Sequence, residues 1–235
     1  MLVDLLRYPR YWRRLRHRPS EVTVRGVRLE LGPHVTPALR TEIYRERYER
    51  REANCLSRIL RPADIVMEIG AGMGFLSTLA ALRIGSDRVF AFEANPMMIE
   101  VIRRTYRLNG VQPALTHGVL GQGDGTVEFF VEPEFVASSL YPGSDSAQKF
   151  QVPLLDVTRE MERIRPTVVA MDIEGAEREL VPVMSWDGVE KVIIDLHPLV
   201  IGEDDVGEVL SVLRQDGFVA DRWLSSTNKK LLIRR

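Results

Sequence analysis

From Ile65 onward, short apolar runs alternate with runs of helical spacing. Ile65 to Ile69 reads as a buried strand, Phe75 to Leu82 as a helix and Val89 to Phe92 as a second strand. Pro96 to Leu108 reads as a helix that opens on proline and stops at Asn109-Gly110. This β-α-β-α order implies a parallel sheet with helices on both faces. Leu115 to Leu120 supplies a third strand and Thr126 to Val131 an added one, followed by an irregular stretch from Glu132 to Gln148. The core resumes with a strand at Thr167 to Met171, a helix over Ala176 to Met184, a strand at Val189 to Asp195 and a helix near Asp205 to Gln215. The short runs Phe218 to Ala220 and Lys230 to Ile233 suit an antiparallel finishing pair.

The N-terminal part is patterned differently. Leu2, Leu5, Leu6, Tyr8, Trp12 and Leu15 recur at helical spacing among arginines, interrupted by Pro9 and stopped by Pro19. EVTVRGVRLEL then alternates about Gly26, as a small hairpin or one bent strand, and Pro37 to Leu60 reads as a charged lead-in helix.

Charge sharpens this division. The first 61 residues carry 15 Arg against 7 acids, a net of +8, and the rest carries 17 basic and 26 acidic residues, a net of -9. A basic arm of this kind suits docking on its own acidic body, and it also offers peripheral contact with an anionic membrane surface. Composition places the chain among single-domain globular proteins: 235 residues, 45% hydrophobic and 28% charged. No apolar run approaches the roughly 20 residues needed to span a bilayer. The start lacks the order of a secretory signal, and Cys55 is the only cysteine, so an internal disulfide and a thiolate zinc cluster are excluded. A cytoplasmic setting is the expectation.

The chemistry begins at VMEIGAGMGF, residues 66–75. A strand, a glycine turn and a helix start make a nucleotide cradle, in which bare backbone approaches the ligand and the helix offers free N–H groups. Gly70, Gly72 and Gly74 fall as G-x-G-x-G, with Phe75 where a dinucleotide fingerprint needs its third glycine, so NAD fits poorly. Glu68, two residues before Gly70, suits a ligand with a positive group. S-adenosylmethionine has one. Glu93, 25 residues beyond Glu68 at the next strand end, is placed to accept both ribose hydroxyls. Expected cofactor contacts are therefore Glu68, Gly70, Ala71, Gly72, Gly74, Glu93, Ala94, Asn95 and Asp172.

MDIEGAERE clusters Asp172, Glu174, Glu177 and Glu179 where a strand meets a helix, on the same crevice as the glycine turn. Methyl transfer from such a donor is an in-line displacement helped by a base within reach. Asp172, Glu174 and His197 are the candidates, and Asp172 also suits the methionine ammonium. Asp172, Asp195 and His197 sit on adjacent strand ends, but their spacing is generic, and no metal is assigned.

With these residues in view, the sequence resembles a class I S-adenosylmethionine-dependent methyltransferase, and more narrowly the FkbM family. The resemblance runs through MEIGAGMGFLSTLAA, AFEANP, HGVLGQGDGTVEFFV, VPLLDVTREM and AMDIEGAERELV, over roughly residues 40 to 200. It implies a Rossmann-like seven-stranded fold, mostly parallel with an antiparallel last strand, carrying an N-terminal helical and hairpin appendage. The expected division is a basic arm and lead-in helix over residues 1–61, acting as substrate cap or docking element, and a cofactor-binding methyltransferase domain over 62–235. It also implies O-methylation of a small molecule, sugar or glycan, while the acidic body and the lack of an Asn-Pro-Pro-aromatic signature speak against nucleic acid as partner. Tyr48 of the Tyr48-Glu49 pair, and the serine pair Ser138 and Ser139, correspond to substrate-bordering positions. A homodimer is compatible with the apolar arm. Two other functions stay open from the sequence: an NAD-dependent oxidoreductase, and a non-catalytic nucleotide-binding protein recruited through its basic arm.

Overall fold

The computed structural model describes residues 9–132, 140, 146–222 and 224–234. Ser138 and Ser139, and the apolar positions Leu2 to Tyr8, lie outside these residues. Helix α1 (Pro9–His17) is followed by the hairpin β1 (Glu21–Val24) and β2 (Val27–Glu30). Arg25 and Gly26 both have positive φ, 51° and 88°, the geometry that joins two strands through a two-residue turn. Val22, Val24, Val27 and Leu29 alternate inward and belong to the main core. Within the N-terminal part, Arg14 of α1 donates to the carbonyls of Thr23 and Tyr44 and pairs with Glu46.

The expected single lead-in helix is two: α2 (Pro37–Tyr44) and α3 (Arg50–Ile59). Thr36 caps α2 by accepting from Leu39 N, and Pro37 fits its first turn. Glu46 and Glu49 break the run, both with left-handed φ.

The central sheet is built from β3 (Val66–Ile69), β4 (Val89–Glu93), β5 (Ala114–His117), β9 (Val168–Met171), β10 (Lys191–Asp195), β11 (Phe218–Ala220) and β12 (Lys229–Arg234). Its order is β11-β12-β10-β9-β3-β4-β5, with the five strands from β10 to β5 parallel and β12 reversed. The seven strands and the reversed last one agree with the expected class. Strand β3 is buried at every residue because it lies between two parallel neighbours. One face is covered by α4 (Phe75–Ile84) and α5 (Ile99–Asn109), the other by α6 (Val157–Ile164) and α8 (Pro198–Gln215).

Several elements depart from the pattern reading. Leu115 to Leu120 is broken at Gly118, so only β5 joins the main sheet. Residues Val119–Gly121 form β6 of a second sheet, ordered β6-β8-β7 with β7 at Gly125–Val131 and β8 at Gln148–Asp156. The pattern did not reveal β8, whose polar and charged positions and Pro153 mask a strand. Nor did it reveal α6, capped by Asp156 accepting from Arg159 N. The helix expected over Ala176 to Met184 is only a turn, α7 (Glu177–Leu180), running into a 3₁₀ turn at Pro182, where no N–H is available to continue it. Helix α8 starts earlier than expected and kinks at Gly202.

The strand N-termini are locked by a buried pair. Lys191 Nζ donates to both oxygens of Asp64 at 2.8 Å, and Thr167 Oγ1 adds a third bond at 3.0 Å. The opposite edge, the strand C-termini, is left for chemistry.

Candidate functional site

At the end of β3 the chain turns sharply between its two neighbours. Gly70 and Ala71 donate their N–H groups to Phe92 O, and Asp172 N donates to Ile69 O at 3.0 Å. A Cβ at Gly70, where φ is +84°, would stand 1.9 Å from the Asp172 carbonyl oxygen, so only glycine fits. Gly72 N donates to Glu93 Oε2 at 2.8 Å, and Asn95 N donates to Glu93 Oε1 at 2.7 Å. Burial lifts the Glu93 carboxyl to about 6, and the N–H groups of Asn95, Gly72, Ala71 and Ala94 hold it down against that pull.

These groups border a cavity of about 340 Å³ at the strand C-termini, in the range of small-molecule and cofactor sites. Tyr48, Gly70, Gly72, Glu93, Ala94, Asp172 and Glu174 all face it, as the sequence suggested. Four expected contacts do not. Gly74 packs against α5, where a Cβ would lie 2.9 Å from Ile102 Cγ2. Ala71 and Asn95 serve the turn through their backbones, and Asn95 Oδ1 accepts from Met97 N.

Glu68 is the larger correction. It is 2% exposed and absent from the cavity wall, because strand alternation turns it toward α4 and α5. There its carboxyl bonds Ser77, which also accepts from the Tyr106 hydroxyl at 2.9 Å. Burial pushes Glu68 up to about 8, the Ser77 bond opposing and the Glu93 charge adding to it. An enclosed carboxyl at this place, off the cavity wall, is a core group.

Asp172, Glu174 and His197 do converge. His197 Nδ1 lies 2.7 Å from the fully buried Glu177, and Nε2 lies 3.5 Å from Asp172 Oδ1 and 3.4 Å from Glu174 Oε2. Burial opposes the imidazolium, but Glu177, Glu174 and Asp172 outweigh it and raise His197 to about 9. At neutral pH it is therefore a cation that orients carboxylates, and its candidacy as general base falls. Asp172 is raised to about 7, by burial first and the Asp195 charge second, with His197 and Lys229 pulling the other way. Burial also raises Glu174. Asp172 thus shares its proton near neutrality, as a base for this pH must.

Among the cavity-wall residues that escaped the sequence reading are Lys229 and Glu49. Lys229, on β12, pairs with Asp195 and Glu52. Burial works against its charge, but those two carboxylates raise its pKa. Glu49, in the left-handed break before α3, brings a carboxylate over the glycine turn. Its neighbour Tyr48 was legible only through the family resemblance. Asp172, Asp195 and His197 have ligand-type atoms within 4.8 Å of one another, yet Lys229 already neutralises Asp195 and Glu177 holds His197.

The cavity fits a cationic nucleoside donor by three features: a backbone no side chain could cover, a buried carboxylate at a strand end for ribose, and carboxylate oxygens without hydrogen-bond partners at Glu49 Oε2 and Asp172 Oδ1. The fold is that of class I S-adenosylmethionine-dependent methyltransferases. Residues 52–128 match the family model described as ribosomal protein L11 methyltransferase (PrmA). Among curated proteins, the ribosomal protein L11 methyltransferase of Carboxydothermus hydrogenoformans is 26% identical over 91 residues, 39% of this chain and 26% of that protein. That of Bacillus cereus is 25% identical over 124 residues, 52% of this chain and 39% of the relative. The chain thus spans between a quarter and two fifths of these relatives' length. The Pyrococcus abyssi tRNA (uracil-54, C5)-methyltransferase, solved with S-adenosyl-L-homocysteine, shares the fold at a TM-score of 0.53 and 12% identity, over 92% of this chain and 44% of that one.

These findings correct two expectations. The matching family is that of the L11 methyltransferases, not FkbM. The Asp-x-Glu-Gly-x-Glu stretch that suggested FkbM is explained by the local turn: Gly175 has φ +103° and a Cβ there would lie 2.6 Å from Val200, while the acids hold His197. The small-molecule or glycan acceptor, and with it the exclusion of nucleic acid, loses its basis, because the relatives are named for a ribosomal protein. No described helix is long and apolar enough to cross a membrane.

Proposed function

We propose that this chain is a methyltransferase domain whose acceptor is a polypeptide, modified at an amine. S-adenosylmethionine, when bound, supplies an electrophilic methyl group. The chain's own residues do the rest. Glu93 accepts from the ribose hydroxyls while staying tied to Gly72 N and Asn95 N. Gly70 and Gly72 let backbone line the cavity where any side chain would intrude. Asp172 and Glu174, steadied by the His197 imidazolium, attract an entering ammonium and take its proton, so that a free amine pair faces the cavity.

The observation that carries this reading is the acidic mouth formed by Asp172 and Glu174, with Asp172 raised to about 7. A carboxylate pair recruits a cationic amine by charge, an advantage it does not give over a neutral hydroxyl. The match to methyltransferases named for a ribosomal protein supports a polypeptide as the bearer of that amine. The test is transfer of labelled methyl from S-adenosylmethionine into an extract, followed by protease or nuclease digestion and mass spectrometry. Label on a lysine or N-terminal amine supports the proposal. Label confined to non-protein material refutes it.

A further inference from the structure

Glu49 is unusual in both backbone and charge. It stands at the start of α3 with φ 43° and ψ 32°, a left-handed conformation that costs a glutamate of order 1 kcal/mol or more. Its side chain does not repay this as a helix cap, for it makes no capping hydrogen bond. The strained turn instead directs the carboxylate into the cavity wall, where Oε2 is sealed from solvent and accepts no hydrogen bond. The Tyr48 side chain bonds this carboxylate, and burial, joined by the charge of Glu68, raises its pKa well above the carboxylate range. With no cation beside it the group is held as the neutral acid, and a cation brought against it would favour its ionised form.

Its position says which cation. A Cβ built on Gly72 would lie 3.1 Å from the Tyr48 hydroxyl and 3.7 Å from Glu49 Oε1, so the pair covers the glycine turn from above. Gly72 N, on the same residue, reaches Glu93. The bare turn therefore separates two carboxylates, Glu93 on the ribose side and Glu49 on the other. Glu68 is enclosed behind the turn, and Glu52 is paired with Lys229. Resting on the methyltransferase reading, we propose that Glu49 receives the α-ammonium of the cofactor's methionine portion, with Tyr48 holding its carboxylate over Gly72.

The experiment uses two ligands that differ in that portion alone. S-adenosylhomocysteine has the amino-acid end, and 5′-methylthioadenosine has the same nucleoside without it. Isothermal titration of the wild-type chain and of Glu49→Gln measures both. Loss of one charged hydrogen bond predicts S-adenosylhomocysteine binding weaker by about 10- to 100-fold in the variant. Binding of 5′-methylthioadenosine stays within about twofold, since the ribose contacts are untouched. Equal weakening of both ligands, or none of either, overturns the assignment. Should Glu49→Gln not fold, Glu49→Asp, which keeps the charge but withdraws it by one methylene, is read by the same selective loss. A wild-type chain that binds neither ligand would instead overturn the methyltransferase reading, an outcome distinct from failure of the Glu49 assignment.

Discussion

Replacing Glu68 with glutamine tests the account of the buried carboxyl behind the glycine turn. The variant keeps the shape and the capacity to bond Ser77, but it cannot ionise. In the folded wild type the group is raised from 4.5 to about 8, chiefly by burial. Between those values the folded chain keeps a proton that the unfolded chain releases. Stability from Glu68 is therefore fully present below about pH 4.5 and is lost as pH rises through about 8. At about 1.4 kcal/mol per tenfold change in proton affinity, the whole window is worth up to roughly 5 kcal/mol. Urea unfolding of both proteins at pH 5, 7 and 9, without added cofactor, reads this directly. Other carboxyls titrate in both chains and largely cancel in the difference. The variant should match the wild type at pH 5 and exceed it by several kcal/mol at pH 9. A difference that does not change with pH would refute the reasoning, and would mean that Glu68 is ionised and satisfied in the folded protein.

Three further outcomes are expected. Gly70→Ala, which drives a Cβ to 1.9 Å from the Asp172 carbonyl, should lower stability by about 2 kcal/mol or more and abolish S-adenosylhomocysteine binding, seen by thermal melting and titration. Asp172→Asn should cut turnover by about 10²- to 10⁴-fold and flatten the rise of turnover that the wild type shows as pH passes about 7; an unchanged pH profile would remove Asp172 as the base. His197→Ala leaves the buried Glu177 carboxylate alone and should cost about 3 to 5 kcal/mol at neutral pH. Because the folded His197 is raised from 6.5 to about 9, its contribution is complete below 6.5 and disappears as pH rises through about 9, so the melting gap between wild type and variant should close there.

What the sequence made legible was local chemistry. The strand-glycine-helix turn, Glu93 at the next strand end and Asp172 at the junction after β9 each follow from a short stretch whose geometry leaves few options. Glu68 was misassigned because alternation along β3 decides its direction, and a central strand buried on both faces carries no apolar-polar contrast from which to read it. Glu49 and Lys229 were missed for another reason. They reach the cavity from a loop before the sheet and from its last strand, and only tertiary packing brings them beside Gly72 and Asp195. His197 was legible in place but not in protonation state, since its basicity comes from Glu177, twenty residues away in sequence and in contact only after folding.

The central claim is that the cavity at the strand C-termini holds S-adenosylmethionine with Glu93 on its ribose. Isothermal titration of the wild type and Glu93→Ala with this cofactor tests it most directly. The account predicts one site per chain in the wild type and affinity at least about tenfold weaker in the variant, for the loss of charged hydrogen bonds. No binding to the wild type, or equal binding to both proteins, would contradict it.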